Sequence, residues 1–335
     1  MISDQAPVFI IAEAGVNHNG DMNLAFKLID IAKQGGADAI KFQTFKTEEV
    51  ILENIEKAPY QKVTTGENES QFDMIKKLEL TIEDTKKLKN YCSQKGLLFL
   101  TTPCDPYSLD LLDELNLPAY KVASADLTNI PFLIKIAKKG KPIILSTGMS
   151  FLDEVELALK EIHVHNDRLA LLQCTSNYPA KDDEVNLAVM DIYREKFNVI
   201  VGYSDHTEGL GAGAYAVARG AKIIEKHFTI DKNMSGPDHR ASLEPDELRN
   251  YVLEIRRVEK YIGKSDKVPT RAETLTRPSM QKNLVAQDPI RKGDVFTEKN
   301  LTAKRTGGRG ISPTKYRSLL GQKATRDFLQ NEIID

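Results

Sequence analysis

A short, continuously apolar run followed by an amphipathic helical stretch recurs about eight times over the first roughly 260 residues. The runs are 8–14 (VFIIAEA), 39–45 (AIKFQTF), 97–102 (LLFLTT), 120–123 (YKVA), 142–146 (PIILS), 169–175 (LALLQCT), 199–203 (VIVGY) and 223–225 (IIE). Strands without a polar face must be covered on both sides, which points to a parallel sheet with crossover helices. Between the runs, apolar residues fall at helical spacing, as Leu24, Leu28, Ile31 and Ala32 do, or Leu248, Val252, Ile255 and Val258 in a last helix over 245–262. A long loop is expected after the second run, through residue 68. An open doubly wound sheet would need two edge strands, shorter or more polar, and none stands out. No GxGxxG follows the first run. The pattern therefore predicts an α/β fold, a (β/α)₈ TIM barrel over residues 1–263.

Apolar periodicity ends there. Residues 264–281, rich in Lys, Ser, Thr and Arg, read as a linker, and 282–335 as a small β-rich domain punctuated by Gly293-Asp294 and Gly307-Gly308. A piece of that size is marginal alone and is expected to dock on something. A net charge of -2 over 335 residues gives no overall field for nucleic acid or a membrane surface. No apolar run approaches the roughly 18 residues of a membrane span. Residues 1–7 lack a basic, then apolar, leader, so a cytoplasmic protein is expected. Cys92, Cys104 and Cys174 have no CxxC spacing and are expected to be small buried hydrophobes.

In a barrel, chemistry sits at the C-terminal strand ends. The seventh and eighth runs lead into His206 and His227, two imidazoles on one sheet edge and a candidate metal pair. Ordinary hydrogen-bonded histidines are the alternative. Lys41 and Lys121 interrupt apolar strands, which is costly without a partner. With Thr102, Ser146-Thr147-Gly148 and Ser204 they compose a phosphate site; snorkelling or structural ion pairing is the plainer reading. Glu13 ends the first run. His163 and His165 read as an exposed turn, and His18 as either structural or supporting the site.

The same strand ends form motifs: IAEAGVNHNGD (11–21), KFQTFK (41–46), TTP (101–103), YKVAS (120–124), LSTGM (145–149), QCTSNYP (173–179), GYSDHT (202–207), EKHFT (225–229) and GPDHRASLEP (236–245). Through them the chain resembles the sialic acid (nonulosonic acid) synthase family over essentially its whole length. The tail resembles that family's antifreeze-like (SAF) domain through AQDPIRKGDVFTEKNLTAKR (286–305). The resemblance implies condensation of phosphoenolpyruvate with an N-acylated mannosamine-type sugar. N-acetylmannosamine would give N-acetylneuraminate; a 2,4-diacetamido-2,4,6-trideoxymannose would give legionaminate. It implies a Mn²⁺-like ion, with Mg²⁺ or Co²⁺ as substitutes, on His206 and His227. Phosphoenolpyruvate contacts map onto Lys41, Thr102, Lys121, Ser124, Ser146, Ser176 and Ser204, and sugar contacts onto Gln43, Tyr178, Asp238 and Arg305. In the family the arginine comes from the partner subunit, so a domain-swapped homodimer is implied. Glu13 is the candidate for handling the proton of an attacking water, with Lys41 and Lys121 as the other catalytic residues. Three positions depart from the family: Ser176 stands where Asn is frequent, Asp126 where Glu is, and KRTGGRG (304–310) adds Arg309. A metal-dependent barrel hydrolase would leave the lysines unexplained. A carbohydrate-binding protein would bind sugar through the tail alone.

Overall fold

The computed structural model describes residues 6–335, in two units that divide between Gly263 and Lys264. The first is an eight-stranded parallel sheet of β1 (Phe9–Gly15), β2 (Ala39–Thr44), β3 (Leu98–Pro103), β4 (Tyr120–Val122), β5 (Ile143–Ser146), β6 (Leu169–Cys174), β7 (Ile200–Asp205) and β8 (Ile223–His227). The order β3-β2-β1-β8-β7-β6-β5-β4 wraps the sheet round, with β1 paired to β8. β3 and β4 pack side by side without a hydrogen-bond ladder. This is the expected barrel, closed by packing rather than pairing at that one seam.

Period-two alternation explains the interior. Ile10 and Ala12 of β1, and Ile40 and Phe42 of β2, face the helices and join the large core. Ile11, Ala39, Leu100, Ile144, Ala170, Leu172 and Ile223 face inward and fill the barrel with a second apolar cluster. Stepping two residues further along the same inward rows gives Glu13, Lys41, Thr102, Ser146, Cys174 and Glu225, with Lys121 of β4 two residues after Ala119. On β7 the step is from Gly202 to Ser204. A Cβ on Gly202 would lie 2.5 Å from Leu172 Cδ2, so the narrow apolar layer admits only glycine there.

The helices form the outer ring. Helix Met22–Gly35 is typical: the Asp21 side chain caps its start by accepting from Asn23 N, and Gly36 ends it at φ 82°. Leu28, Ile29 and Ala32 are its fully buried face. The last helix, Pro245–Ile262, has the expected limits. The helix between β7 and β8 is short, Gly213–Ala218, because Gly209 and Gly211 before it take positive φ. The long loop after β2 holds two short helices, Thr47–Val50 and Pro59–Thr65, which the sequence reading missed.

In the second unit, helix Arg271–Met280 occupies the stretch expected as a linker. Thr270 and Glu273 form its capping box, and none of its residues is buried. β9 (Lys282–Ala286) and β10 (Leu301–Arg305) pair antiparallel over a core of Leu284, Ile290, Phe296, Leu301, Phe328 and Ile334. Among the described residues, no helix is long and apolar enough to cross a membrane.

Candidate active site

The inward polar layer opens into a cavity of about 470 Å³ at the C-terminal strand ends. Strand register brings its parts level. Glu13 is the ladder partner of both Lys41 and His227, and Ser204 that of Glu225.

The floor is a chain of four buried charges. Lys41 Nζ lies 2.7 Å from Glu13 and 3.8 Å from Glu225, whose other oxygen lies 3.4 Å from Lys121 Nζ. All four side chains are at most 5% exposed, so their charges interact with little screening. The two carboxyls are driven apart. Burial pushes Glu13 up to about 7, against the pull of Lys41 and with the charge of Glu225 adding to it. Burial acts upward on Glu225 as well, but Lys121 and Lys41 outweigh it and hold that carboxyl down at about 2. Burial also depresses Lys121, while in Lys41 the two carboxylates overcome burial and raise it. Two carboxyls with separated ionisation can divide the roles of base and fixed charge.

Hydroxyls complete this end. Lys41 donates to Thr102 Oγ1 at 2.9 Å, Lys121 to Ser146 Oγ at 2.8 Å, and Ser204 to Glu225 at 3.0 Å. Gly148 N donates to Ser124 Oγ at 2.9 Å, and a Cβ on Gly148 would collide with Ser124 and Ser176. Ammonium groups, hydroxyls and a bare glycine backbone converge here, the donor set for a phosphate or carboxylate.

The two histidines stand at the other side of the floor, ring centroids 5.5 Å apart. His206 Nδ1 lies 2.7 Å from Thr175 O, so Nδ1 carries a proton and the ring presents Nε2, 3.5 Å from Ser204 Oγ, to the cavity. His227 Nδ1 is buried without a hydrogen-bond partner, and burial, then His206, hold that imidazole neutral. A neutral ring with an orphaned nitrogen beside an oriented one fits a cation bound by two histidines. Among the described residues, no group of three or more His, Cys, Asp or Glu is placed to hold a metal. The remaining positions would fall to water and substrate.

The uncharged end of the cavity carries Gln43, Tyr178 and a set the sequence reading missed: Ala58, Pro59, Tyr60, Gln61 and Gln71. The Tyr178 ring lies 4.1 Å from that of His206 and 5.0 Å from that of Tyr60. Gln71 donates to Gln61 Oε1 at 2.8 Å, and the same oxygen accepts from Ala58 N at 3.0 Å. Ala58 to Gln61 fall in the long loop after β2, and a loop gives no periodicity to place them. Asp238 is buried, its carboxyl pushed up to about 6 by burial, but it does not line the cavity. Asp126 accepts from Asn129 at 3.1 Å. Arg305 is exposed at the end of β10 in the second unit, and Arg309 bonds Thr306 O. Cys104 corrects the expectation of a buried hydrophobe, since it is only partly buried and lines the cavity. His163 and His165 are exposed, and His18 is fully buried, its Nδ1 accepting from Gly20 N.

A family model described as the NeuB family matches residues 28–267. The chain is 48% identical over 328 residues to N,N'-diacetyllegionaminic acid synthase of Campylobacter jejuni, covering 97% of this chain and 98% of that one. To the Legionella pneumophila protein of the same name it is 42% identical, covering 96% and 91%. Among solved structures, N-acetylneuraminic acid (sialic acid) synthetase of Leptospira borgpetersenii in complex with citrate is 36% identical. Its TM-score is 0.72, and the match covers 81% of this chain and 90% of that one.

Proposed function

The chain belongs to the NeuB family, and from that premise we propose that it condenses phosphoenolpyruvate with the open-chain aldehyde of an N-acylated mannosamine-type sugar, releasing phosphate. The observation that carries this reading is the Lys41–Glu13 and Lys121–Glu225 array beside two histidines, in a cavity also lined by the uncharged Gln43, Tyr60, Gln61 and Tyr178.

Lys41 and Lys121, with Thr102, Ser124, Ser146, Ser176 and Ser204, hold the phosphate and carboxylate of phosphoenolpyruvate. Orientation and charge stabilisation are their contribution. C3 of phosphoenolpyruvate attacks the aldehyde carbon, forming the new C–C bond, and the aldehyde oxygen takes up a proton. Water adds to the electron-poor C2. Glu13, whose carboxyl burial raises to about 7, accepts the water proton. The resulting tetrahedral centre collapses with departure of phosphate. His206 and His227 would hold a divalent ion, Mn²⁺ or in its place Mg²⁺ or Co²⁺, which supplies Lewis-acid polarisation of the aldehyde oxygen. Tyr178 and Gln43 line the wall along which the sugar lies; Asp238, outside the cavity lining, and Arg305, in the second unit, are kept as further sugar contacts on the family resemblance alone. Because Arg305 is exposed in the second unit, a homodimer in which an antifreeze-like tail reaches the partner's barrel is part of the proposal. So is cytoplasmic residence.

The names of the Campylobacter and Legionella relatives favour the 2,4-diacetamido-2,4,6-trideoxymannose acceptor and a legionaminate product. The Leptospira synthetase favours N-acetylmannosamine as the second reading. Steady-state kinetics with both sugars, Mn²⁺ and phosphoenolpyruvate should give the larger kcat/KM for the diacetamido sugar. A preference for N-acetylmannosamine reverses the assignment, and turnover of neither overturns the proposal.

A further inference from the structure

The two dipeptides that carry the histidines each place a charged residue on the opposite face of the sheet. Asp205 precedes His206 and Lys226 precedes His227. Alternation turns Asp205 and Lys226 outward, behind the barrel wall, where they are ladder partners in the β7–β8 register. Both are at most 1% exposed, and Lys226 Nζ lies 3.3 Å from Asp205 Oδ1. The carboxylate is fully engaged. Oδ1 also accepts from Thr207 N at 3.0 Å and Thr207 Oγ1 at 2.6 Å. Oδ2 accepts from Gly213 N at 3.1 Å and Tyr251 OH at 3.0 Å. Lys226 donates in addition to Thr207 O and lies over the Tyr251 ring.

A buried ion pair is a weak source of net stability, since apolar groups of the same volume do as well; its better-attested use is to fix register. His206 has its own tether, the Thr175 carbonyl. The Nδ1 of His227 has none. The direction of the His227 ring therefore depends on its backbone, and the residue just before it is pinned across to the residue just before His206. We propose that Asp205 and Lys226 are positioning residues: their ion pair, braced by Tyr251, sets the separation of the two imidazoles and so the affinity of the site for a divalent cation. This rests on the metal reading above.

The test is Mn²⁺ affinity of the full chain, measured from free Mn²⁺ by electron paramagnetic resonance, alongside the thermal midpoint. Lys226→Met should weaken Mn²⁺ binding by roughly 10–100-fold, the usual effect of losing a supporting residue behind a ligand. Tyr251→Phe should weaken it by a few-fold. Leu88→Ala, which opens a hole in the core far from β7 and β8, should lower the midpoint without moving the affinity. Lys226→Met with a lowered midpoint and wild-type affinity overturns the proposal. Should Lys226→Met not fold, an unchanged affinity in Tyr251→Phe overturns it. A wild-type chain that binds no Mn²⁺ overturns the metal reading as well, which separates the two failures.

Discussion

Glu13→Gln removes a carboxyl that is 1% exposed and held at about 7, where an ordinary one has 4.5. The sign of its effect on stability follows from proton binding. Between pH 4.5 and about 7 the folded chain keeps a proton on Glu13 that the unfolded chain has lost. Stability therefore falls as pH rises through this window, and the penalty is complete above it. The gap corresponds to about 3 kcal/mol at roughly 1.4 kcal/mol per pH unit. The glutamine amide would still offer an oxygen to Lys41, which keeps Glu225 at 3.8 Å as a charged partner. The variant should then be more stable than wild type by about 1–3 kcal/mol at pH 8, and equal to it near pH 4.5. Urea unfolding at both pH values measures this. The same substitution should lower kcat by roughly 10²–10⁴-fold. It should also abolish the acid limb near pH 7 that wild-type kcat/KM is expected to show. A variant less stable than wild type at pH 8 would mean that the Lys41 ion pair outweighs burial, and would refute the reasoning.

Lys121→Met removes a charged donor to the anion end and leaves Glu225 with one lysine. The KM for phosphoenolpyruvate should rise about 10–100-fold, read in initial-rate assays at saturating sugar. His227→Ala deletes an imidazole whose Nδ1 has no protein partner; Mn²⁺ binding measured by calorimetry should be lost while the thermal midpoint changes little. Leu28→Ala, on the fully buried face of helix Met22–Gly35, should cost about 2–5 kcal/mol in urea unfolding and leave KM for both substrates unchanged.

The barrel was legible because each strand is apolar on both faces and each crossover helix has a clear stripe. The eight runs read from sequence fall within a few residues of the observed strands, and β4 survives as Tyr120–Val122 despite its length. Most of the anion end was legible for the same reason: Glu13, Lys41, Lys121 and Ser204 lie on inward rows that alternation alone can trace. Glu225 could be read only as the polar end of the eighth run. Its place between both lysines depends on the packing of three strands, which no single stretch encodes. The Tyr60–Gln61 part of the cavity wall was illegible because short helices in a loop carry no long apolar period. Helix Arg271–Met280 escaped notice because it buries nothing and contains Pro278, so only its Thr270–Glu273 cap marked it.

The proposed function stands or falls on the coupling of C–C bond formation to phosphate release at the Lys41–Lys121 end of the barrel. A quench experiment with enzyme, Mn²⁺, phosphoenolpyruvate and the diacetamido sugar would follow phosphate and, by mass spectrometry, the nine-carbon acid. The expected result is one phosphate per acid formed, no phosphate when sugar is omitted, and loss of both in Glu13→Gln. Phosphate released at the same rate without sugar, or product formed without phosphate, would contradict it.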